Sequence, residues 1–194
     1  MLILASASPR RRELLASLGV PFEVVPSDAD ETLEALPLAE AVARLALRKA
    51  RLVAGLRPAA VVLAADTIVV IDGRALGKPA DPEDARAMLH TLRGRTHEVM
   101  TGVAVVDAET GRHASDTVIS HVTMTAYDDA VIEAYVAGGE PLDKAGAYAI
   151  QGAGGALVAG LVGSRSNVVG LPLAATAALL RRFGVAVSAS QPEP

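Results

Sequence analysis

Ala59-Ala60-Val61-Val62-Leu63-Ala64-Ala65-Asp66-Thr67-Ile68-Val69-Val70-Ile71 is the stretch from which the rest of the chain is read. Its apolar, β-branched character marks a buried strand. One carboxylate, Asp66, stands in its middle. Strand alternation puts Asp66 on the face shared by Val62, Ala64, Ile68 and Val70. A charge among such neighbours is costly unless it is paired, hydrogen-bonded or open to a cleft. Two readings stay open: a structural Asp satisfied by backbone amides or a buried lysine, and a functional carboxylate.

On the C-terminal side, Asp72-Gly73 is the two-residue signal of a tight hairpin. The return segment Ala75-Leu76-Gly77-Lys78-Pro79 carries Lys78, which is either a surface lysine in a turn or a point charge for a phosphate on a segment returning beside Asp66. Asp81 and Pro82 then start a helix with Ala85, Met88, Leu89 and Leu92 inward, closed by Gly94. On the N-terminal side, a helix is predicted from about Leu38 to Val53. Leu38, Val42, Leu45 and Leu52 mark its apolar stripe. The position that completes that stripe is Lys49, which either snorkels at the core edge or points into a cleft, where a partner such as Asp66 would suit it.

The chain opens with a short strand, Leu2-Ile3-Leu4-Ala5, broken by Ser6-Ala7-Ser8. Ser8 is a good N-cap and Pro9 fits the first helical position. The first turn of that helix carries Arg10, Arg11 and Arg12, and cations there oppose the helix dipole. Free amides, two serine hydroxyls and arginines on one short loop make a ready phosphate site; the plain alternative is a solvated basic turn. Phe22 to Val25 alternates as a second strand. In the acidic stretch Asp28-Ala29-Asp30-Glu31, one carboxylate could hold a divalent ion near a phosphate.

Thr96 to Val106 and Ser115 to Thr125 read as an antiparallel pair around the turn Glu109-Thr110-Gly111-Arg112. His97 and His121 lie in them without metal-ligand spacing and are read as structural or exposed. Asp128 to Ala137 is a helix with Val131, Tyr135 and Val136 inward. Pro141 to Gly152 is dense in glycine and polar groups, as site loops are. Ala156 to Val162 is a strand, and Pro172 starts a last helix running to about Arg182 with Leu173, Ala177 and Leu180 buried. One domain spans residues 1–184, and 185–194 is a polar tail expected to be mobile. The mixture of hairpins and crossovers predicts an α/β domain with a mixed sheet flanked by helices rather than a purely parallel one.

Composition narrows the function classes. The 194 residues are 51% hydrophobic, which supports a full core. A net charge of −4 argues against a protein that holds nucleic acid by neutralising many phosphates, though not against a small phosphorylated ligand. There is no cysteine, hence no disulfide, thiolate metal site or cysteine nucleophile. Met1 to Ser6 lacks the marks of a signal peptide, and the longest apolar run is too short to span a bilayer. A cytoplasmic protein with no membrane partner is expected.

Six motifs occur in order: Leu4-Ala5-Ser6-Ala7-Ser8-Pro9-Arg10-Arg11; Ala65-Asp66-Thr67; Gly77-Lys78-Pro79; Asp143-Lys144-Ala145-Gly146 with Tyr148; Gln151-Gly152; and Asn167-Val168-Val169-Gly170-Leu171-Pro172. In these the chain resembles the Maf family of nucleoside triphosphate pyrophosphatases from Leu2 to Gly184. The resemblance implies an inosine-triphosphatase-like fold, two lobes on an extended mixed sheet around a deep cleft, and a homodimer. It implies hydrolysis of a nucleoside triphosphate between the α- and β-phosphates, giving the monophosphate and pyrophosphate, with Mg²⁺ or Mn²⁺. Within the family, Arg10, Thr67 and Gln151 are similar to the branch that prefers dTTP and UTP, including modified pyrimidine nucleotides. The rival branch prefers 7-methyl-GTP. Ala7 and Arg165 depart from the residues often seen at their positions, glycine and an aromatic.

The implied roles agree with the residue chemistry. Asp66 is the general base for the attacking water. Ser6, Ser8, Arg10 and Arg11 cradle the phosphates. Lys49 and Lys78 neutralise charge on the departing pyrophosphate. Glu31, with Asp66, holds the metal. Thr67 and Gln151 read the base. Asp143 and Lys144 are read as a structural pair shaping their loop. A rival of another class is a nucleotide-binding regulator of cell division with little turnover; the presence of Glu31, Lys49, Asp66 and Lys78 argues against it.

Overall fold

The predicted central strand is β3 (Val61–Ile71) in the computed structural model, which describes residues 1–188. In chain order the elements are β1 (Leu2–Leu4), α1 (Pro9–Ala16), β2 (Phe22–Val24), α2 (Leu38–Leu56), β3, β4 (Arg74–Leu76), α3 (Pro82–Leu92), β5 (Thr96–Asp107), β6 (His113–Met124), α4 (Asp129–Ala137), β7 (Val158–Val162), α5 (Arg165–Val169) and α6 (Leu173–Arg182). Short 3₁₀ turns at Glu140–Asp143, Ala145–Ala147 and Gly152–Leu157 fill the stretch before β7. Seven strands form a mixed sheet in the order β2-β1-β3-β5-β6-β7, with β4 paired to β3. β1 runs parallel to both β2 and β3, as the α1 and α2 crossovers require. The β3–β4 and β6–β7 pairs are antiparallel. The fold class is the expected one, an α/β domain on a mixed sheet.

Contacts divide the chain into two compact units. Unit 1 holds Met1–Asp66, Thr101–Val118 and the segment from Gly170 on; unit 2 holds Thr67–Met100 and Ile119–Val169. In unit 1, strand alternation sorts the sheet into two faces. Ile3, Ala5, Val62, Ala64, Ala104 and Val106 pack on Ala46, Ala50 and Val53 of α2. Leu2, Leu4, Leu63, Ala65, Val103 and Val105 pack on Leu15 and Leu18 by α1 and on Ala177 and Leu180 of α6. In unit 2, Val69, Ile71, Val99, Val122 and Met124 meet Leu89 and Leu92 of α3 and Ile132, Tyr135 and Val136 of α4. Among the described residues no helix is long and apolar enough to cross a membrane.

Several local expectations hold. Asp72 and Gly73 both take positive φ, 51° and 72°, as the two-residue hairpin turn requires, and Ile71 pairs with Arg74 across it. Ser8 and Asp81 cap α1 and α3 through side-chain oxygens as expected, and Asp128 caps α4 in the same way. Four details differ. Leu52 is 42% exposed, while Ala46, Ala50 and Val53 carry the centre of the buried face of α2. Alanines fit the close approach of a helix to a sheet, and their low hydropathy hides them from a stripe drawn through leucines. On α4 the inward residue is Ile132, not Val131, which is 40% exposed; Ile132, Tyr135 and Val136 keep helical spacing. β7 starts at Val158, because the glycine-rich Gly152–Leu157 winds as a 3₁₀ turn instead of extending.

The fourth difference is α5, where a loop was expected. Asn167 accounts for it: buried, it donates from Nδ2 to Val99 O and to Ser120 Oγ, both at 2.9 Å, and its N–H is capped by Ser164 Oγ at 3.0 Å. The C-terminal segment also stays attached beyond Gly184. Val185 and Val187 pack on the α1–α6 core, and Ser188 N–H donates to Leu18 O at 3.0 Å. The remainder of the expected tail, 189–194, lies outside the described residues.

Candidate active site

Along β3 the residues after Val61 are buried without break except at Asp66 and Thr67, which are half-buried. The carboxylate of the organising strand is therefore neither sealed in the core nor on the surface; its side chain is 14% exposed. Its partner is Lys49, whose Nζ donates to Asp66 Oδ1 at 2.6 Å. The same ammonium donates to Glu31 Oε1, also at 2.6 Å. Lys49 itself is 6% exposed because it stands inside the apolar face that α2 presses on the sheet, at helical spacing from the buried Ala46 and Val53. A buried ammonium needs paired, hydrogen-bonded anions to offset lost hydration, and two carboxylates supply them.

Glu31 comes from a loop rather than from a regular element. Asp30 Oδ1 accepts from Thr32 N–H at 2.9 Å and from Thr32 Oγ1 at 2.8 Å, closing a local turn. Those donors hold the exposed Asp30 carboxyl below its ordinary range. Arg48, the residue before Lys49, donates to Thr32 O at 2.6 Å. Consecutive residues of α2 thus clamp the backbone and the carboxylate of one loop.

The start of α1 belongs to the same unit. Ser6 is buried, and its Oγ accepts from Ser8 N–H at 3.2 Å; Ser8 Oγ accepts from Arg11 N–H at 3.4 Å. Each hydroxyl accepts from the backbone and keeps a proton to donate to an anion. The first turn of α1 contains no acidic residue. Arg11 Nε donates to Gly170 O at 2.8 Å, which anchors the half-buried guanidinium to the loop before α6. Burial lowers the Arg11 pKa; Asp66 and Glu31 oppose that shift and Arg10 adds to it. The arginine is close enough to feel both carboxylates, so the cationic turn and the Glu31–Lys49–Asp66 cluster share one electrostatic neighbourhood.

A family model described as Maf-like protein matches residues 1–183. The chain belongs to this Maf-like family. Among its relatives, a protein of Myxococcus xanthus named dTTP/UTP pyrophosphatase is 57% identical over 187 residues, covering 95% of this chain and 93% of its own length. A Moorella thermoacetica protein of the same name is also 57% identical, covering 96% of each chain. A third, from Desulforamulus reducens, carries that name at 47% identity over 96% of this chain and 98% of its own.

In this Maf-like chain the expected site residues divide between the two units. Ser6, Ser8, Arg10, Arg11, Glu31, Lys49 and Asp66 lie in unit 1. Thr67, Lys78 and Gln151 lie in unit 2. Thr67 follows Asp66 in β3, and alternation turns it to the opposite face. Lys78 is exposed just after β4. Its loop is tied to the site-like stretch by Gly146 N–H donating to Gly77 O at 3.0 Å. Gly146 has φ 70° and its Cα packs against Val69, so that a side chain there would be strained and blocked. Gln151 is exposed and extended, and its side chain does not cap the turn that follows. Lys144 Nζ donates to Asp143 Oδ1 at 2.5 Å and to Glu140 O at 2.7 Å, the structural pair expected of them.

Two contacts had no sequence signal: the Gly170 carbonyl on Arg11 and the Arg48 clamp on Thr32. Among the described residues, no group of three or more His, Asp or Glu side chains gathers as a metal cluster. The carboxylates of Glu31 and Asp66 meet at Lys49. Such a pair suits a hard divalent ion that keeps several waters and leans on phosphate oxygens; it lacks the nitrogen or sulfur ligands of a zinc centre.

Proposed function

We propose that this chain is a nucleoside triphosphate pyrophosphatase that converts dTTP and UTP, and modified pyrimidine triphosphates, to the monophosphate and pyrophosphate. The observation that carries the proposal is the half-buried Asp66 carboxylate, held by buried Lys49 and electrostatically coupled to the serine- and arginine-bearing start of α1. Relatives at 47–57% identity named for this activity support it.

The hydroxyls of Ser6 and Ser8, the first amides of α1, and Arg10 and Arg11 bind the phosphate chain. Asp66 takes a proton from water as the water oxygen bonds to the α-phosphorus. The bond from that phosphorus to the bridging oxygen breaks, and pyrophosphate leaves with the electron pair. Lys49 and Lys78 stabilise the charge gathering on it. Glu31 and Asp66 are the residues that would hold Mg²⁺ or Mn²⁺, which supplies further neutralisation of the phosphate oxygens. Thr67 and Gln151 read the base, the Gln amide offering both a donor and an acceptor to a pyrimidine edge, and Arg10 completes the discriminating set. The same proposal makes the protein a cytoplasmic homodimer acting on free nucleotides, not on nucleic acid or membranes; sedimentation of the purified chain tests the dimer.

Pyrophosphate release from dTTP, UTP and 7-methyl-GTP, with Mg²⁺ or Mn²⁺, tests the substrate. The two pyrimidine nucleotides are expected to be preferred, and a clear preference for the methylated purine would overturn the assignment. Asp66→Asn is expected to keep nucleotide binding and to lose about 10²–10⁴-fold in rate, the usual contribution of a general base. An unchanged rate removes Asp66 from the chemistry. Binding without turnover in the wild-type chain would favour the regulator.

A further inference from the structure

Lys49 stands where its two carboxylates would otherwise share a cation. Its Nζ is 2.6 Å from Glu31 Oε1 and 2.6 Å from Asp66 Oδ1. Its own side chain is 7% exposed, that of Asp66 14% and that of Glu31 60%. The fixed members are therefore the lysine and the strand carboxylate, while Glu31 reaches in from a solvent-facing loop. A small divalent ion binds carboxylate oxygens at about 2.0–2.1 Å and requires their lone pairs pointed at it. Each carboxylate oxygen keeps a further lone pair, but an ammonium bonded to both Oε1 and Oδ1 holds the position between them and repels a second cation there. An ion that bridges this pair therefore competes with the ammonium.

We propose that Lys49 is the determinant of metal affinity at this pair, by exchange: a divalent ion displaces the ammonium from Glu31 and Asp66, and the released ammonium turns to the phosphate chain. This rests on the assignment of Glu31 and Asp66 as metal ligands made above. It deepens that assignment by giving one lysine two successive partners. The exchange also couples the ligands. Displacing Lys49 into the protein interior is costly, because it would be left unpaired. Displacing it onto a triphosphate is not. Metal and nucleotide consequently favour each other's binding, and the coupling is reciprocal. The buried position of Lys49 confines its choice of partners to this neighbourhood, which a surface lysine would not be.

The test is Mn²⁺ binding without nucleotide, followed by the paramagnetic signal of free Mn²⁺, on the wild-type chain and on Lys49→Met and Lys49→Gln. Both variants are expected to bind Mn²⁺ at least tenfold more tightly than wild type, and the gain is expected to vanish when Glu31→Gln is added. Equal or weaker binding in the folded variants overturns the proposal. Should neither variant fold, the wild-type chain carries the test: with ¹⁵N-lysine labelling, the ammonium resonance lost in Asp66→Asn is expected to shift or broaden as Mg²⁺ is added in the presence of a non-hydrolysable triphosphate analogue. A resonance indifferent to Mg²⁺ with the analogue bound overturns it equally. Neither readout uses hydrolysis. A chain that released no pyrophosphate would defeat the assigned activity and leave the exchange standing.

Discussion

His97 is a residue whose chemistry burial alters strongly. It is 2% exposed, its Nε2 is 2.7 Å from the Tyr148 hydroxyl, and the two rings meet edge to face at 5.2 Å. Burial pushes its pKa from 6.5 down to about 4 and raises that of the Tyr148 phenol, so the imidazole is neutral at pH 7. The unfolded chain takes up this proton near pH 6.5 and the folded chain only near 4. Between those values the unfolded state binds more protons, and stability falls as the pH falls. A shift of that size corresponds to about 3 kcal/mol, fully lost by about pH 4. Urea unfolding of wild type and His97→Phe at pH 7 and pH 4 measures it. The wild-type chain is expected to lose about 3 kcal/mol more than the variant over that interval. Equal losses would mean that His97 titrates normally. Of the residues with proposed chemical roles, Asp66 and Lys49 explain one another in the same way: each is tolerable where it stands because the other is there.

One glycine of the sheet lies directly against the backbone of α2. A Cβ on Gly102 in β5 would lie 2.4 Å from Val42 O and 2.7 Å from Ala43 N, both backbone atoms of α2. Neither can swing aside as a side-chain tip would, so the helix itself must shift. Gly102→Ala is expected to destabilise the protein by about 2–3 kcal/mol, the cost of overpacking a close-packed contact. Because α2 carries both Arg48 and Lys49, the folded fraction is expected to lose turnover as well. Gly160 in β7 is the matched control, since nothing lies within 4 Å of an added Cβ there. Gly160→Ala is expected to stay within about 0.5 kcal/mol of wild type. Thermal melts and pyrophosphate release on the two variants make the comparison, and equal stability would show that α2 adapts freely.

For the molecule as a whole, the end of the folded body lies further along the chain than its composition suggests. Val185 N–H donates to Leu180 O at 3.0 Å, Val185 and Val187 pack on the core of unit 1, and Ser188 closes back on Leu18. A chain truncated after Gly184 loses these contacts. Two half-buried valines account for about 1–2 kcal/mol of apolar burial. In a chain of this size that lowers the melting temperature by about 2–8 °C. The truncated chain is expected to keep its pyrophosphatase activity at 25 °C, since none of the site residues is removed. An unchanged melting temperature would make Gly184 the true boundary.

The strand at 61–71, the Asp72-Gly73 hairpin, the capped starts of α1 and α3, and the α/β class were legible because periodicity, turn chemistry and caps are local properties. The oddity of Asp66 and Lys49 was legible too, since a charge in an apolar pattern stands out without any structure. Other features depend on residues distant in the chain. That Glu31 joins them, that Arg48 holds its loop, that Gly170 anchors Arg11 and that Asn167 stabilises α5 all rest on such contacts, and no local pattern encodes them. The alanine-centred face of α2 escaped for a related reason: small residues matter where two backbones approach closely, and closeness is a property of the packed molecule. Local chemistry thus singled out the charged residues that needed a partner, and the three-dimensional fold chose the partner.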